Sequence, residues 1–287
     1  MRWQGRRQSG NVEDRRGVPV RGMAAGGGVG VLLIALVVMF LGGDPGAVLQ
    51  QAAGPANGPG RAARPANPAE VELKGFVSVV LADTEDVWRD LFQVELGQAY
   101  RDPKLVLYSE AVESACGFAQ SAVGPFYCPA DERVYIDLTF CDDLRTRFEA
   151  PGDFAVAYVL AHEVGHHVQN QLGMTDQVHS QRGRVSKEKE NQLSVRLELQ
   201  ADFLAGVWAH HAQRTKNILE AGDLEEALRA ASAVGDDRLQ MQAQGRVVPD
   251  SFTHGSAQQR ARWFGLGVKT GDLKQMDRLF TMPYDQL

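Results

Sequence analysis

The residues best equipped for chemistry stand together: His162-Glu163-Val164-Gly165-His166, an H-E-x-x-H pattern inside the apolar run from Phe154 to Val168. Nothing from Ala155 to Ala161 is charged, and no proline interrupts 152–171. The spacing predicts a helix, with Pro151 and Asp153 as its first-turn and capping residues. At about 100° per residue, positions 162 and 166 share one helical face, a turn apart. Two imidazoles held that way can ligate one Zn²⁺, and Glu163 beside them can act as base toward water. The competing reading is a buried helix with scattered polar groups. It would leave two His and one Glu poorly satisfied in an apolar setting, which is costly without a metal.

A site of this kind needs a third protein ligand and keeps a fourth position open. His167 points some 100° away from the ligand face and cannot join it. His179, His210, His211 and His254 are further candidates, with several carboxylates. Glu198 is the best choice, on a separate helical segment 32 residues past His166 and among apolar neighbours. Asp202 follows one turn later and can accept the free ring N–H of a ligating histidine, fixing its tautomer. The competing reading makes both of them surface charges of a polar helix. His254, in a Gly-containing loop, is a candidate catalytic residue that stabilises the oxyanion of a tetrahedral intermediate. His210 and His211 read as solvent-facing.

The elements that must hold these residues follow from periodicity. Thr84 to Arg101 reads as a helix capped at Thr84, Leu105 to Tyr108 as extended, and Glu110 to Gln120 as a second helix. Phe126–Cys128, a turn at Pro129–Glu132 and Val134 to Phe140 read as a hairpin, the strand expected to run beside a substrate backbone. Gly173 to Glu190 reads as a polar connection, and Lys187 to about Thr215 as the helix carrying Glu198 and Asp202. Asp223 to Val234 is helical, and Ser256 caps a last helix.

The chain has 287 residues and a formal charge of −6. Residues 1–25 hold six Arg against Glu13 and Asp14, a local +4 that leaves −10 on the remainder. That balance excludes general nucleic-acid binding, and no phosphate-binding loop is present. The uncharged stretch 26–43 reads as a transmembrane helix, a retained anchor rather than a cleaved signal. Arginines precede it, so the positive-inside rule places 1–25 in the cytoplasm and all that follows outside the cell membrane. Residues 44–70 read as a flexible Pro/Gly/Ala linker, and 71–287 as one domain. In the oxidising compartment expected there, Cys116 and Cys128 could pair and pin the second helix to the hairpin, leaving Cys141 odd.

Five segments carry a resemblance: Met1 to Gly17, Cys116-Gly-Phe-Ala with Gly124-Pro-Phe-Tyr-Cys-Pro-Ala-Asp131, Ala161-His-Glu-Val-Gly-His-His-Val-Gln169, Glu198-Leu-Gln-Ala-Asp202 and Asp250-Ser-Phe-Thr-His-Gly255. Together they resemble the neutral zinc metallopeptidases of bacteria (YpfJ-like). The resemblance covers the chain apart from the linker. It implies a zincin-like fold, membrane anchoring and zinc at the H-E-x-x-H helix, but no particular substrate. The expected molecule is an α+β, mostly helical domain with a small sheet. It would bind Zn²⁺ through His162, His166 and Glu198, in the manner of a gluzincin, and cut polypeptides with Glu163 as base. Two other readings remain open: a non-catalytic zinc-binding module, and a zinc amide hydrolase acting on a cell-wall bond.

Overall fold

A computed structural model describes residues 1–17 and 67–287. Four short strands make the main sheet: β1 (Val12–Asp14), β2 (Lys104–Tyr108), β6 (Arg133–Asp137) and β5 (Phe126–Cys128), in that order. β1, β2 and β6 are parallel, and β5 returns antiparallel on β6 through a tight turn. Alternation sorts the sheet's side chains. Leu105, Leu107, Val134 and Ile136 enter the main core, while Val106, Tyr108 and Tyr135 face the opposite side. That second face is covered by a separate hairpin, β3 (Ala111–Ser114) with β4 (Gly117–Gln120).

Residues 111–120, expected to be helical, are therefore a hairpin. Gly117 at φ 117° and Glu110 at φ 66° make the turns that a helix would not allow. Buried Asp137 ties both ends, accepting from Glu110 N (2.9 Å) and the Ser121 hydroxyl. A disulfide from Cys116 to Cys128 (Cα–Cα 5.7 Å) joins the hairpin to β5.

Helices supply the rest: α1 (Pro68–Leu91), α2 (Phe140–Thr146), α3 (Asp153–Gln171), α4 (Met174–His179), α5 (Lys187–Lys216), α6 (Asp223–Ala233), α7 (Asp236–Gln244), α8 (Ala257–Thr270) and α9 (Arg278–Thr281). α1 starts well before Thr84, capped by Asn67 on Ala69 N with Pro68 in its first turn. Thr84 lies mid-helix, its hydroxyl bonded to Leu81 O (2.7 Å). Asp83 and Glu85 beside it are 2% and 1% exposed, a burial that needs cations.

The N-terminal segment provides them. Arg6 reaches Asp83 at 2.6 Å, Arg7 reaches Glu85 at 3.1 Å and Asp86 at 2.6 Å, and Asn11 Nδ2 reaches Glu85 at 2.9 Å. Trp3 packs edge-on against Phe76, and β1 adds a strand to the sheet. Arg16 lies 3.3 Å from Glu70, and Lys74 lies 3.0 Å from Asp14.

This packing corrects the expected single-pass placement. A segment that shares a sheet and buried ion pairs with the domain cannot lie across a bilayer from it. Among the described residues, moreover, no helix is long and apolar enough to cross a membrane. The stretch 26–43, on which that expectation rested, and the linker up to residue 66 lie outside the described residues.

Candidate metal centre

α3 begins at Gly152, whose φ of 123° an L side chain rarely adopts and whose added Cβ would meet the Glu226 carboxylate at 2.0 Å. Glu226, reaching over from α6, accepts the Phe154 backbone N–H at 3.1 Å and so takes the capping role expected of Asp153. α5 starts at Ser186, which caps Lys189 N, and carries Glu198 and Asp202 one turn apart. The two helices meet at Gly165, where an added Cβ would lie 2.9 Å from Ala201 O. The glycine inside the H-E-x-x-H pattern is what lets the histidine helix approach the carboxylate helix.

His162 Nε2 lies 3.3 Å from Glu198 Oε2, and His166 Nε2 lies 3.5 Å from Glu198 Oε1. The three residues form a group whose ligand atoms all lie within 4.8 Å of one another. A tetrahedral zinc with bonds of about 2.0–2.1 Å places its ligand atoms roughly 3.3 Å apart, so these spacings fit the ion. The chemistry of the set fits as well, two imidazoles and one carboxylate with room for a fourth ligand.

Hydrogen bonding fixes how the imidazoles face the site. His162 Nδ1 meets Asp202 Oδ1 at 2.8 Å, and a carboxylate only accepts, so Nδ1 carries a proton and Nε2 is the nitrogen left to face a metal. Asp202 is fully buried and takes further bonds from the Tyr158 hydroxyl (2.5 Å), Arg260 Nε (2.8 Å) and Arg260 Nη2 (3.0 Å). Burial works against ionising Asp202, but the charges of Arg260 and His162 outweigh it and hold the carboxyl below its usual range. For His162, burial opposes the proton, yet Asp202 and Glu198 push its pKa up to about 10 in the metal-free chain. Glu198 also overcomes its burial and is held well below the usual carboxylate range by His166 and His162.

Glu163 is 8% exposed, one residue past His162, and no hydrogen bond engages its carboxylate among the described residues. His254 approaches from the loop before α8, its side chain half exposed. Its Nδ1 lies 3.2 Å from Asp236 Oδ1, while Asp236 Oδ2 accepts the backbone N–H groups of Thr253, His254 and Gly255 at 2.7, 2.6 and 3.0 Å. Burial opposes a charged His254, but Asp236 and the nearby Glu198 charge raise its pKa.

Three of the remaining histidines, His167, His210 and His211, bond the fold away from the ligand set. His167 is fully buried, bonded through Nδ1 to the Tyr127 hydroxyl (3.0 Å) and through Nε2 to Arg101 O (2.6 Å). It locks α3 to β5. His210 and His211, expected in solvent, are half-buried and bond Val268 O (2.8 Å) and Gly271 O (2.9 Å). Arg260, Tyr158 and Asp236 were not singled out from the sequence. A buried Arg on an otherwise apolar helix face, Ala257 to Phe264, was the one local hint.

Comparisons with known proteins show which family the chain belongs to. The family model described as "Putative neutral zinc metallopeptidase" matches residues 1–279. The chain is 50% identical over 284 residues to "Uncharacterized protein YpfJ" of Escherichia coli K12, covering 96% of this chain and 97% of that one. It is 44% identical over 198 residues to "Uncharacterized protein Rv2575" of Mycobacterium tuberculosis, covering 65% and 64%. No solved structure matches. The chain belongs to the neutral zinc metallopeptidase family, whose cofactor is zinc and whose substrates are polypeptides.

Proposed function

We propose that His162, His166 and Glu198 hold the zinc in a zincin-like, gluzincin-type site, and that Glu163 is the general base of peptide-bond hydrolysis. The observation that carries this reading is the pair of Nε2 atoms meeting the two Glu198 oxygens at 3.3 and 3.5 Å, beside a carboxylate, Glu163, with no hydrogen-bond partner among the described residues. Bound zinc supplies a Lewis acid that polarises the scissile carbonyl and acidifies water. Glu163 takes the water's proton and passes it to the departing amine. His254, whose protonated form Asp236 favours, donates from Nε2 to the developing oxyanion.

Substrate alignment falls to β5. It ends the sheet, so one edge has no partner strand among the described residues, and an extended polypeptide can add there. Tyr127 on β5 bonds His167 and Asn170 of α3 (3.0 and 3.1 Å), so the strand and the metal-binding helix keep a fixed relation.

The test is Glu163→Gln in the full chain, assayed on an unfolded protein such as casein. The variant retains the parent's zinc content and loses about 10²–10⁴ in kcat/KM, the usual share of general base catalysis. A variant that cleaves as fast as the parent removes Glu163 from the mechanism. His254→Ala, with zinc content unchanged, lowers kcat by about 10²–10³ and leaves KM nearly constant; an unchanged kcat removes His254.

A further inference from the structure

We propose that Gln169 is a positioning residue of the metal centre. Its side-chain amide sets the tautomer of His166 and so aims the second imidazole's lone pair at the metal. The inference rests on the zinc reading above and extends it to a residue that motif reasoning passes over.

Gln169 is fully buried on α3, one turn beyond His166 on the same face. Its Oε1 lies 2.8 Å from His166 Nδ1. Its Nε2 lies 2.7 Å from Leu197 O and 3.0 Å from Gln200 Oε1. An amide nitrogen has two hydrogens and donates both here, because Leu197 O and Gln200 Oε1 can only accept. Turning the amide over would set its oxygen against the Leu197 carbonyl oxygen, two buried acceptors with no hydrogen between them, which is expensive. The orientation is therefore forced by α5. With Oε1 fixed on His166, Nδ1 must carry a proton, so in the neutral imidazole that a metal binds, Nε2 is the bare nitrogen, the atom that faces Glu198 at 3.5 Å.

The two ligand histidines thus have different supports. His162 leans on a carboxylate whose charge Arg260 offsets, and His166 leans on a neutral amide. The amide also holds Leu197, the neighbour of Glu198, so one side chain references two ligands to each other.

The experiment compares full-length chains by zinc competition against a chromophoric chelator, alongside the thermal melt of each metal-free chain. Gln169→Met keeps the volume and removes the acceptor. It weakens zinc binding by about 10–100-fold, the usual cost of losing such a partner. Gln200→Met loosens the amide's far side but leaves the His166 contact, and stays within about threefold of the parent. Gln169→Glu restores an acceptor toward His166 and recovers affinity relative to Gln169→Met. Equal losses in Gln169→Met and Gln200→Met would reduce Gln169 to a tie between helices and overturn the proposal. So would parent-like affinity in Gln169→Met. Long-range ¹⁵N–¹H correlation on the zinc-loaded parent needs no variant: it shows the His166 proton on Nδ1, and a proton on Nε2 overturns the inference. A parent that binds no zinc overturns the metal reading and this proposal with it; a parent that binds tightly beside an unchanged Gln169→Met overturns this proposal alone.

Discussion

At the residue scale, Asp202 shows how a proposed metal ligand, His162, is held by groups outside the ligand set. Its carboxylate is shared between His162, Tyr158 and the Arg260 guanidinium, all in a site closed to solvent. Removing one partner of such a buried pair leaves the other charge uncompensated. Arg260→Met should therefore cost about 3–5 kcal/mol of folding stability, measured by denaturant titration of the metal-free chain. A loss under about 1 kcal/mol would show that Asp202 does not depend on Arg260. His162, Glu163 and His166 were legible in the sequence because their relation is local and set by one helix. Asp202 was legible by the same logic, one turn from Glu198. Arg260 and Gln169 were not, because their partners are chosen by how α8 and α5 cross α3, and residue spacing does not encode a crossing.

At the element scale, glycines set those crossings. Gly206 and Gly267 face each other between α5 and α8, where an added Cβ would come within 2.2 Å of Phe264 O or 2.1 Å of Phe203 O. Gly165 plays the same part between α3 and α5. Gly165→Ala should destabilise the fold by about 1–3 kcal/mol through overpacking and weaken zinc binding too, since the ligands span that gap. Gly265, in the same helix as Gly267, has nothing within 4 Å of an added Cβ. Gly265→Ala should stabilise by about 0.5–1 kcal/mol, and parallel melts of the two variants test the contrast. The misread element, 111–120, fails for a related reason. Its Ala, Val, Glu and Ser pattern suits a helix, while the Cys116–Cys128 bond and the Asp137 contacts, with the turns at Glu110 and Gly117, select a hairpin.

At the scale of the whole molecule, the metal and the N-terminal segment are two separate sources of stability. Zinc that binds only the folded chain adds about 2.7 kcal/mol at 100 times its Kd, so a chelator should lower the melting temperature as well as abolish cleavage. A melt unmoved by chelator would mean the folded chain gains nothing from the ion. The N-terminal segment should respond to acid instead. Hydrogen bonds from Arg16 hold the Asp14 carboxyl well below the usual range, with burial opposing and Lys74 assisting. A depressed carboxyl stabilises the fold above its unfolded pKa, about 3.9, and that contribution drains as pH falls toward the folded value. Asp14→Asn should be less stable than the parent at neutral pH, and the gap should narrow from about pH 4 to 2. A gap that stays constant would assign the difference to packing rather than charge.

β1 also constrains the order in which the molecule can be completed. Val12 pairs with Leu105 and Asp14 with Leu107 in a parallel ladder, which needs a long crossover and forms slowly. On the ribosome, residues 12–14 emerge long before their partner strand exists. During that interval Arg6 and Arg7 have no Asp83 or Glu85 to neutralise them. This segment can therefore settle only once residues 83–107 have been made, and until then the nascent protein carries it as a loose cationic tail.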